Sequence, residues 1–224
     1  DFVGKNEKFV DFVKGVAATV VSQKPADLDA LMECKYNGTD LTVTQQQQEM
    51  VLVIGENIKV RRFARFAEGT SVPYIHAGGK IGVLVNLEVT GGIDVTEVGK
   101  DMAMQIAALN PRFLDKSQVT QDVLDEEKKI LLAQMDNDPK MVSKPAQVKE
   151  KIVEGKLNKF YAENCLLQQS FVKDGDVTVE QYMNTAAKKL GGTIVLKNAV
   201  RFEKGEGIEK KQENFAEEIA KLAQ

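Results

Sequence analysis

Apolar side chains recur every three or four residues along much of the chain, which is the spacing of one face of an α-helix. One such stripe includes Phe9, Val13 and Val16 and predicts a helix over 7–21. Thr42 or Thr44, each with a glutamine three residues later, predicts the capped start of another helix, which ends at Gly55. The helices predicted in this way cover 7–21, about 42–54, 98–109, 119–135, 146–161 and 178–190, with a C-terminal helix from about 207.

Apolar residues that alternate with a period of two predict three strands. The clearest strand covers 81–89, where Val83, Val85 and Leu87 share one face, and the others cover 57–66 and 193–202. Residues 64–69 resemble 200–205 in type and order, and each segment is expected to close a strand. We interpret this likeness as a weak internal duplication.

The stretches 119–135 and 146–161 differ from the other predicted helices because each has a narrow apolar stripe flanked by lysine and glutamate. The loop between them contains Asn137, Pro139 and Pro145. A short loop between two such helices predicts an antiparallel helical hairpin, inserted in the second copy of the duplication.

Composition narrows the function classes. The chain has 224 residues, 30 basic and 33 acidic, for a net charge of −3, and this balance argues against a protein that mainly binds nucleic acid. No apolar run approaches the ~20 residues that a membrane span requires. Two cysteines, Cys34 and Cys165, make no disulfide framework, and a single histidine cannot supply a two-histidine metal motif.

A search for catalytic motifs finds little. Residues 78–82 are glycine-rich, but they lack the spacing of a phosphate-binding loop and lead into a strand, so we interpret them as a turn. His76 belongs to no recognisable nucleophile motif, and by composition alone it is a structural histidine. We therefore predict no catalytic residue, no metal and no cofactor.

Three features indicate surface recognition instead. Phe2 precedes the first helix, and the apolar run 50–54 ends at Gly55, which would leave Ile54 at a helix terminus. The predicted terminal helix has a narrow apolar stripe of Ile208, Phe215, Ile219 and Leu222. Each feature has a structural alternative, namely a hydrophobic staple, a core position, or packing of the last helix on the body of the protein.

Five segments, in order along the chain, together resemble translation elongation factor Ts. They are Asp1-Phe2-Val3, the run 54–62, His76 with 81–85, the hairpin segment 151–156, and the run 202–210. In that family the protein is the guanine-nucleotide exchange factor for elongation factor Tu.

The resemblance implies an α+β fold of two related subdomains with small antiparallel sheets flanked by helices, an inserted antiparallel coiled-coil hairpin and a C-terminal helix. The expected divisions are an N-terminal core subdomain at 1–69, a C-terminal core subdomain at 70–115 and 166–203, the hairpin at 116–165 and the C-terminal module at 204–224. The family's N-terminal helical module, and the first strand of its N-terminal subdomain, are expected to have no counterpart in this chain.

The resemblance also implies contacts with the G domain of the partner. Asp1 and Phe2 match a pair whose phenylalanine wedges into that domain near its magnesium site. Ile54 and Gly55 match a helix end that approaches the phosphate-binding loop, and His76 matches a further contact.

Two further sets of contacts are implied outside that wedge. Phe171 and Val172 match a pair near the surface that meets the partner's third domain. The terminal stripe of Ile208, Phe215, Ile219 and Leu222 matches a module that packs on the partner's first domain.

These implications make the chain a non-enzymatic exchange factor that promotes GDP release by displacing the magnesium site and the phosphate-binding loop. The alternative is a non-exchanging adaptor that keeps the fold and holds another partner with the helical hairpin. A homodimer is left open. The expected location is the bacterial cytoplasm or an organelle, with the plastid stroma preferred.

Overall fold

The chain divides into two compact units, Asp1–Ala67 and Glu68–Gln224, and the computed structural model describes residues 3–208. The first boundary lies close to the predicted end of the N-terminal subdomain at residue 69. The finer division of the second unit into subdomain, hairpin and C-terminal module stays a prediction. The predicted helix after residue 207 lies outside the described residues.

The first unit packs three helices around one apolar core. They are α1 (Glu7–Gln23), α2 (Leu28–Glu33) and α3 (Val43–Ile54). The predicted start of α3 is confirmed at Thr42, whose side chain accepts from the Gln45 N–H while the Gln45 side chain accepts from the Thr42 N–H. The buried core residues are Phe12, Val16, Val20, Leu31, Val43 and Ile58.

The strand predicted over 57–66 is wrong, because these residues have no regular secondary structure. Ile58 and Val60 do pack against the helical core, as their alternation suggested. The Val60 N–H, however, donates to the Gln47 side-chain oxygen (2.8 Å) and not to a neighbouring strand. Consequently 64–69 does not close a strand, and this support for an internal duplication is lost.

The second unit contains a three-stranded antiparallel sheet in the order β1-β2-β5 and a two-stranded antiparallel sheet of β3 and β4. The strands are β1 (Thr70–His76), β2 (Ile81–Thr90), β3 (Ser170–Phe171), β4 (Asp174–Thr178) and β5 (Thr193–Glu203). The strands predicted over 81–89 and 193–202 are confirmed.

Helix α4 (Thr96–Leu109) packs against β1 and β2, and α8 (Val179–Leu190) packs against β5. The apolar residues of β2 that were predicted to share a face point into this core together with α4. The fully buried members of that core include Val85, Leu87, Met102, Leu166 and Val179.

The predicted helical hairpin is confirmed as α5 (Gln121–Asp136) and α7 (Ala146–Asn164), joined by the single turn α6 (Pro139–Val142). The helices are antiparallel, because the Lys149 Nζ at the start of α7 lies 2.9 Å from the Asp136 Oδ1 at the end of α5. Leu131, Met135 and Val153 form the buried seam between them.

These elements confirm an α+β fold with small antiparallel sheets flanked by helices. Within residues 3–208, every helix is too short or too polar to span a lipid bilayer.

Candidate partner-binding surface

The C-terminal end of α3 holds the first pair of predicted contact residues. Ile54 is the last helical residue, and Gly55 caps the helix in the left-handed conformation with φ 78°. The Gly55 N–H donates to the Val51 carbonyl at 2.8 Å, and apart from its chain neighbours no described residue has an atom within 4 Å of a Cβ added at Gly55. A glycine satisfies both conditions, because it adopts positive φ freely and leaves the helix end open to a close approach.

Ile54 is only half-buried, since it also packs against the core of the first unit. The strongly exposed apolar residues are its neighbours Leu52, 83% exposed, and Val53, 53% exposed. Of the large apolar side chains in the described part of the chain, Leu52 is the most exposed. Exposed apolar side chains grouped at one place are typical of interaction sites.

Sequence reasoning missed Leu52 and Val53, although the helical period contains the signal. Val43, Met50 and Ile54 lie on the stripe that faces the core, while Leu52 and Val53 lie off it. The core alternative for the run 50–54 therefore applies to Met50, Val51 and Ile54, which pack against the core, although none of the five residues is fully buried. We refer to Leu52, Val53, Ile54 and Gly55 as the α3 end patch.

His76 ends β1, on the same strand face as Val72 and Tyr74, because side chains alternate along a strand. The Tyr74 hydroxyl lies 3.0 Å from the His76 Nδ1, and the two rings are 5.8 Å apart. The turn that follows has positive φ at Ala77, Gly78 and Gly79, which confirms the interpretation of the glycine-rich segment as a turn. His76 is thus half-exposed and is positioned by its neighbour.

Phe171 is a core residue, and its contact with a partner stays a prediction. It is 3% exposed and stacks on Tyr182, with ring centroids 4.1 Å apart. Its side chain is unavailable to a partner in this conformation. Val172 is 44% exposed, so the predicted contact at this pair rests on Val172.

Two buried polar groups of α4 hold the β3–β4 turn in place. The Gln105 amide donates to the Ser170 carbonyl at 3.0 Å and accepts from the Val172 N–H at 2.8 Å. Asp101 accepts from the Lys173 Nζ at 2.6 Å and from the Tyr182 hydroxyl at 2.5 Å. Val172 is therefore presented by a fixed backbone.

Asp101 raises the pKa of both side chains that donate to it, Lys173 and Tyr182. Burial and the hydrogen bond to Asp101 raise the pKa of Tyr182 well above its usual range. The same carboxylate raises the pKa of Lys173, and Tyr74 contributes to that rise.

The remaining predicted contacts are mostly not described. Ile208 is the last described residue and is 61% exposed. The other predicted contacts lie outside the described residues, and they are Asp1, Phe2, Phe215, Ile219 and Leu222.

Comparison with known proteins gives one consistent result. A family model described as elongation factor TS matches residues 1–206. The elongation factor Ts of Syntrophotalea carbinolica is 44% identical over 226 residues, which cover 99% of this chain and 73% of that protein. That of Trichlorobacter lovleyi is 46% identical over 231 residues, covering 100% of this chain and 73% of that protein. That of Clostridium kluyveri is 44% identical over 225 residues, covering 99% and 72%.

These relatives are bacterial proteins, and they give no support to a plastid source. The match covers both units of the chain, including the hairpin and the positions of the α3 end patch. The chain belongs to the elongation factor Ts family.

Proposed function

We propose that the chain is a guanine-nucleotide exchange factor that promotes GDP release from elongation factor Tu during translation elongation in the bacterial cytoplasm. The observation that carries this proposal is the similarity to elongation factor Ts, 44% identity over 99% of the chain. The activity requires no covalent chemistry from the chain itself, only binding that favours one state of the partner.

The α3 end patch is the part of the proposed interface that the structure supports best. Leu52 and Val53 offer apolar surface, and Gly55 leaves room for the backbone of a phosphate-binding loop to approach. An apolar surface that packs against the loop only after the loop has moved would compete with bound nucleotide. The nucleotide and the exchange factor must then weaken each other's binding by the same factor.

The remaining contacts extend this interface in the proposal. Asp1 and Phe2 supply the wedge near the magnesium site, and His76 supplies a second contact to the G domain. Val172 meets the partner's third domain, and Ile208 begins the module that packs on the first domain. The same module continues with Phe215, Ile219 and Leu222.

The test is release of a fluorescent GDP analogue from elongation factor Tu, with and without the chain. We expect the wild-type chain to accelerate release, and we expect Leu52→Ala to lower the efficiency of exchange about tenfold. This magnitude corresponds to the loss of about 1–2 kcal/mol when a leucine that is buried in a complex is truncated. Because Leu52 is 83% exposed in the chain itself, the variant should unfold at the wild-type denaturant concentration.

Val21→Ala is the matched control, because Val21 is a strongly exposed apolar residue of α1 in the same unit. It should exchange at the wild-type rate. A wild-type chain that releases GDP no faster than buffer would refute the proposal. If such a chain still bound elongation factor Tu tightly, the adaptor alternative would replace exchange. Equal losses in Leu52→Ala and Val21→Ala would remove the α3 end patch from the interface.

A further inference from the structure

A cleft of about 580 Å³ lies in the first unit, away from any residue to which the proposed exchange function assigns a role. One side is formed by the loop 24–27 and the first residue of α2, Leu28, and the other by residues of the irregular segment 61–67. The volume is within the range of about 300–1,000 Å³ that binding sites for small ligands occupy.

Positive charge dominates the lining. Lys24, Arg61, Arg62 and Arg65 line the cleft, together with one carboxylate, Asp27. That carboxylate is already engaged, because its Oδ1 accepts from the Ala30 N–H at 2.8 Å as the N-cap of α2. The local excess of positive charge contrasts with the net charge of −3 of the whole chain, so the cleft favours anions although the chain as a whole is slightly acidic.

Two of these cations are available to a ligand. Lys24 is exposed and Arg65 is half-buried, and neither side chain has a hydrogen-bond or ion-pair partner among the described residues. Arg61 and Arg62 make other interactions, so they contribute charge to the lining while the carboxylate contacts are assigned to Lys24 and Arg65. A half-buried guanidinium has five donors whose geometry matches a carboxylate, and at Arg65 none of residues 3–208 supplies an acceptor.

The apolar part of the lining narrows the class of ligand. Pro25, Leu28 and Phe63 also line the cleft. A phosphodiester backbone or a free phosphate requires donors and positive charge but gains little from such surface. A peptide that carries both carboxylates and apolar side chains satisfies the cations and covers the apolar surface.

We infer that this cleft binds an acidic segment of a protein partner, in which glutamate or aspartate alternates with apolar residues. Lys24 and Arg65 bind the carboxylates, while Phe63 and Pro25 contact the apolar side chains. The site involves none of the residues proposed for nucleotide exchange, so its test is independent of that function.

The experiment measures binding of a short fluorescein-labelled peptide of alternating glutamate and leucine to the full chain, by fluorescence polarisation. Lys24→Glu and Arg65→Glu should each weaken binding about tenfold, because each replaces an attraction with a repulsion. Lys14→Glu is the matched control, since Lys14 is an exposed lysine of the same unit outside the cleft, and it should leave binding unchanged. Wild-type binding should also weaken between about 0.05 M and about 0.5 M salt.

The outcomes separate the inference from its alternatives. Circular dichroism shows whether each variant is folded, and Arg65→Gln replaces Arg65→Glu if the latter is not. Absence of wild-type binding overturns the inference, as does an equal loss in Lys14→Glu, which would indicate only the overall charge. Two further results would assign the cleft to phosphate and overturn the inference. One is tighter binding of a single-stranded RNA oligonucleotide of the same length, and the other is competition by inorganic pyrophosphate at a lower concentration than the unlabelled peptide requires.

Discussion

Replacing Gly99 of α4 with alanine is expected to destabilise the second unit, even though alanine is the better helix former. Gly99 is buried where α4 crosses β1. A Cβ at this position would lie 2.5 Å from the Val72 Cγ2 and 2.7 Å from the Val72 Cβ. The Val72 Cβ is fixed to a strand backbone that pairs with Val85 of β2, so it cannot rotate away.

Two opposing contributions set the change in the free energy of unfolding of Gly99→Ala. Alanine gains about 1 kcal/mol over glycine in a helix interior. Contacts between carbon atoms are optimal at about 3.5–4.0 Å, so relief of the overlap requires α4 and β1 to separate by about 1 Å. Forced overpacking of this kind typically costs about 1–3 kcal/mol, and contact with a backbone-fixed Cβ places Gly99→Ala at the upper end. The net loss is about 2 kcal/mol.

The assay is urea unfolding followed by far-ultraviolet circular dichroism, with amide hydrogen exchange in β2 to assign the loss to the sheet. Gly155→Ala is the control, because Gly155 lies on the exposed side of α7 and an added Cβ would meet nothing within 4 Å beyond its chain neighbours and the nearby backbone of α7. Only the higher helix propensity of alanine applies at Gly155, so this variant should raise the free energy of unfolding by up to about 1 kcal/mol. If both variants gain stability, the packing of α4 on β1 relaxes freely and the reasoning from overlap is wrong.

Two further predictions concern hydrogen bonds of α8. Thr178→Ala removes the capping box of this helix and should lower the free energy of unfolding in urea by about 1 kcal/mol. Thr120→Ala is the control and should cost less, because the N-cap Thr120 makes no side-chain hydrogen bond. Equal losses in the two variants would contradict the role of the capping box. The raised pKa of Tyr182 means that its contribution to stability is complete below about pH 10, the unfolded value, and is lost as pH rises toward the folded pKa. In an alkaline phenolate absorbance titration, Tyr182→Phe should remove absorbance that develops only above the usual tyrosine range, and a loss of absorbance within that range would refute the assigned shift.

Features encoded by neighbouring residues could be predicted from the sequence. The start of α3 has a capping box formed by Thr42 and Gln45, and its end has a left-handed cap at Gly55, and both are local in sequence. Strand β1 was not predicted, because Pro73 argues against a strand in any pattern analysis. The structure places β1 at the edge of the sheet, where a missing N–H is tolerated on the side without a ladder.

The segment 57–66 shows why alternation alone can mislead. Ile58 and Val60 face the core in the manner of a strand, but a strand also requires a partner for its backbone. Here the Gln47 side chain, from α3, supplies the acceptor for the Val60 N–H. That contact lies 13 residues away in sequence and depends on the packing of a helix, so a local pattern carries no information about it.

The contact residues also divide into those that a local pattern identifies and those that it does not. Leu52 and Val53 could have been identified from their position off the apolar stripe of α3. The burial of Phe171 could not, because it depends on stacking with Tyr182 of α8 and on the hold of Gln105 on the β3–β4 turn. A motif match identifies which residues are shared with a family, but it does not separate residues that touch the partner from residues that support them.

This division determines which variant of the α3 end patch gives an interpretable result. Ile54 packs on the core as well as ending the helix, so Ile54→Ala should cost about 1–2 kcal/mol of stability in addition to any loss of exchange. Leu52→Ala removes apolar surface that the folded chain leaves in water, so its stability is expected to be unchanged. If Leu52→Ala slows exchange at wild-type stability while Ile54→Ala slows exchange and also lowers stability, the patch acts by direct contact. If only Ile54→Ala slows exchange, and in proportion to its loss of stability, then the effect arises from the fold of the first unit and the patch is not a contact surface.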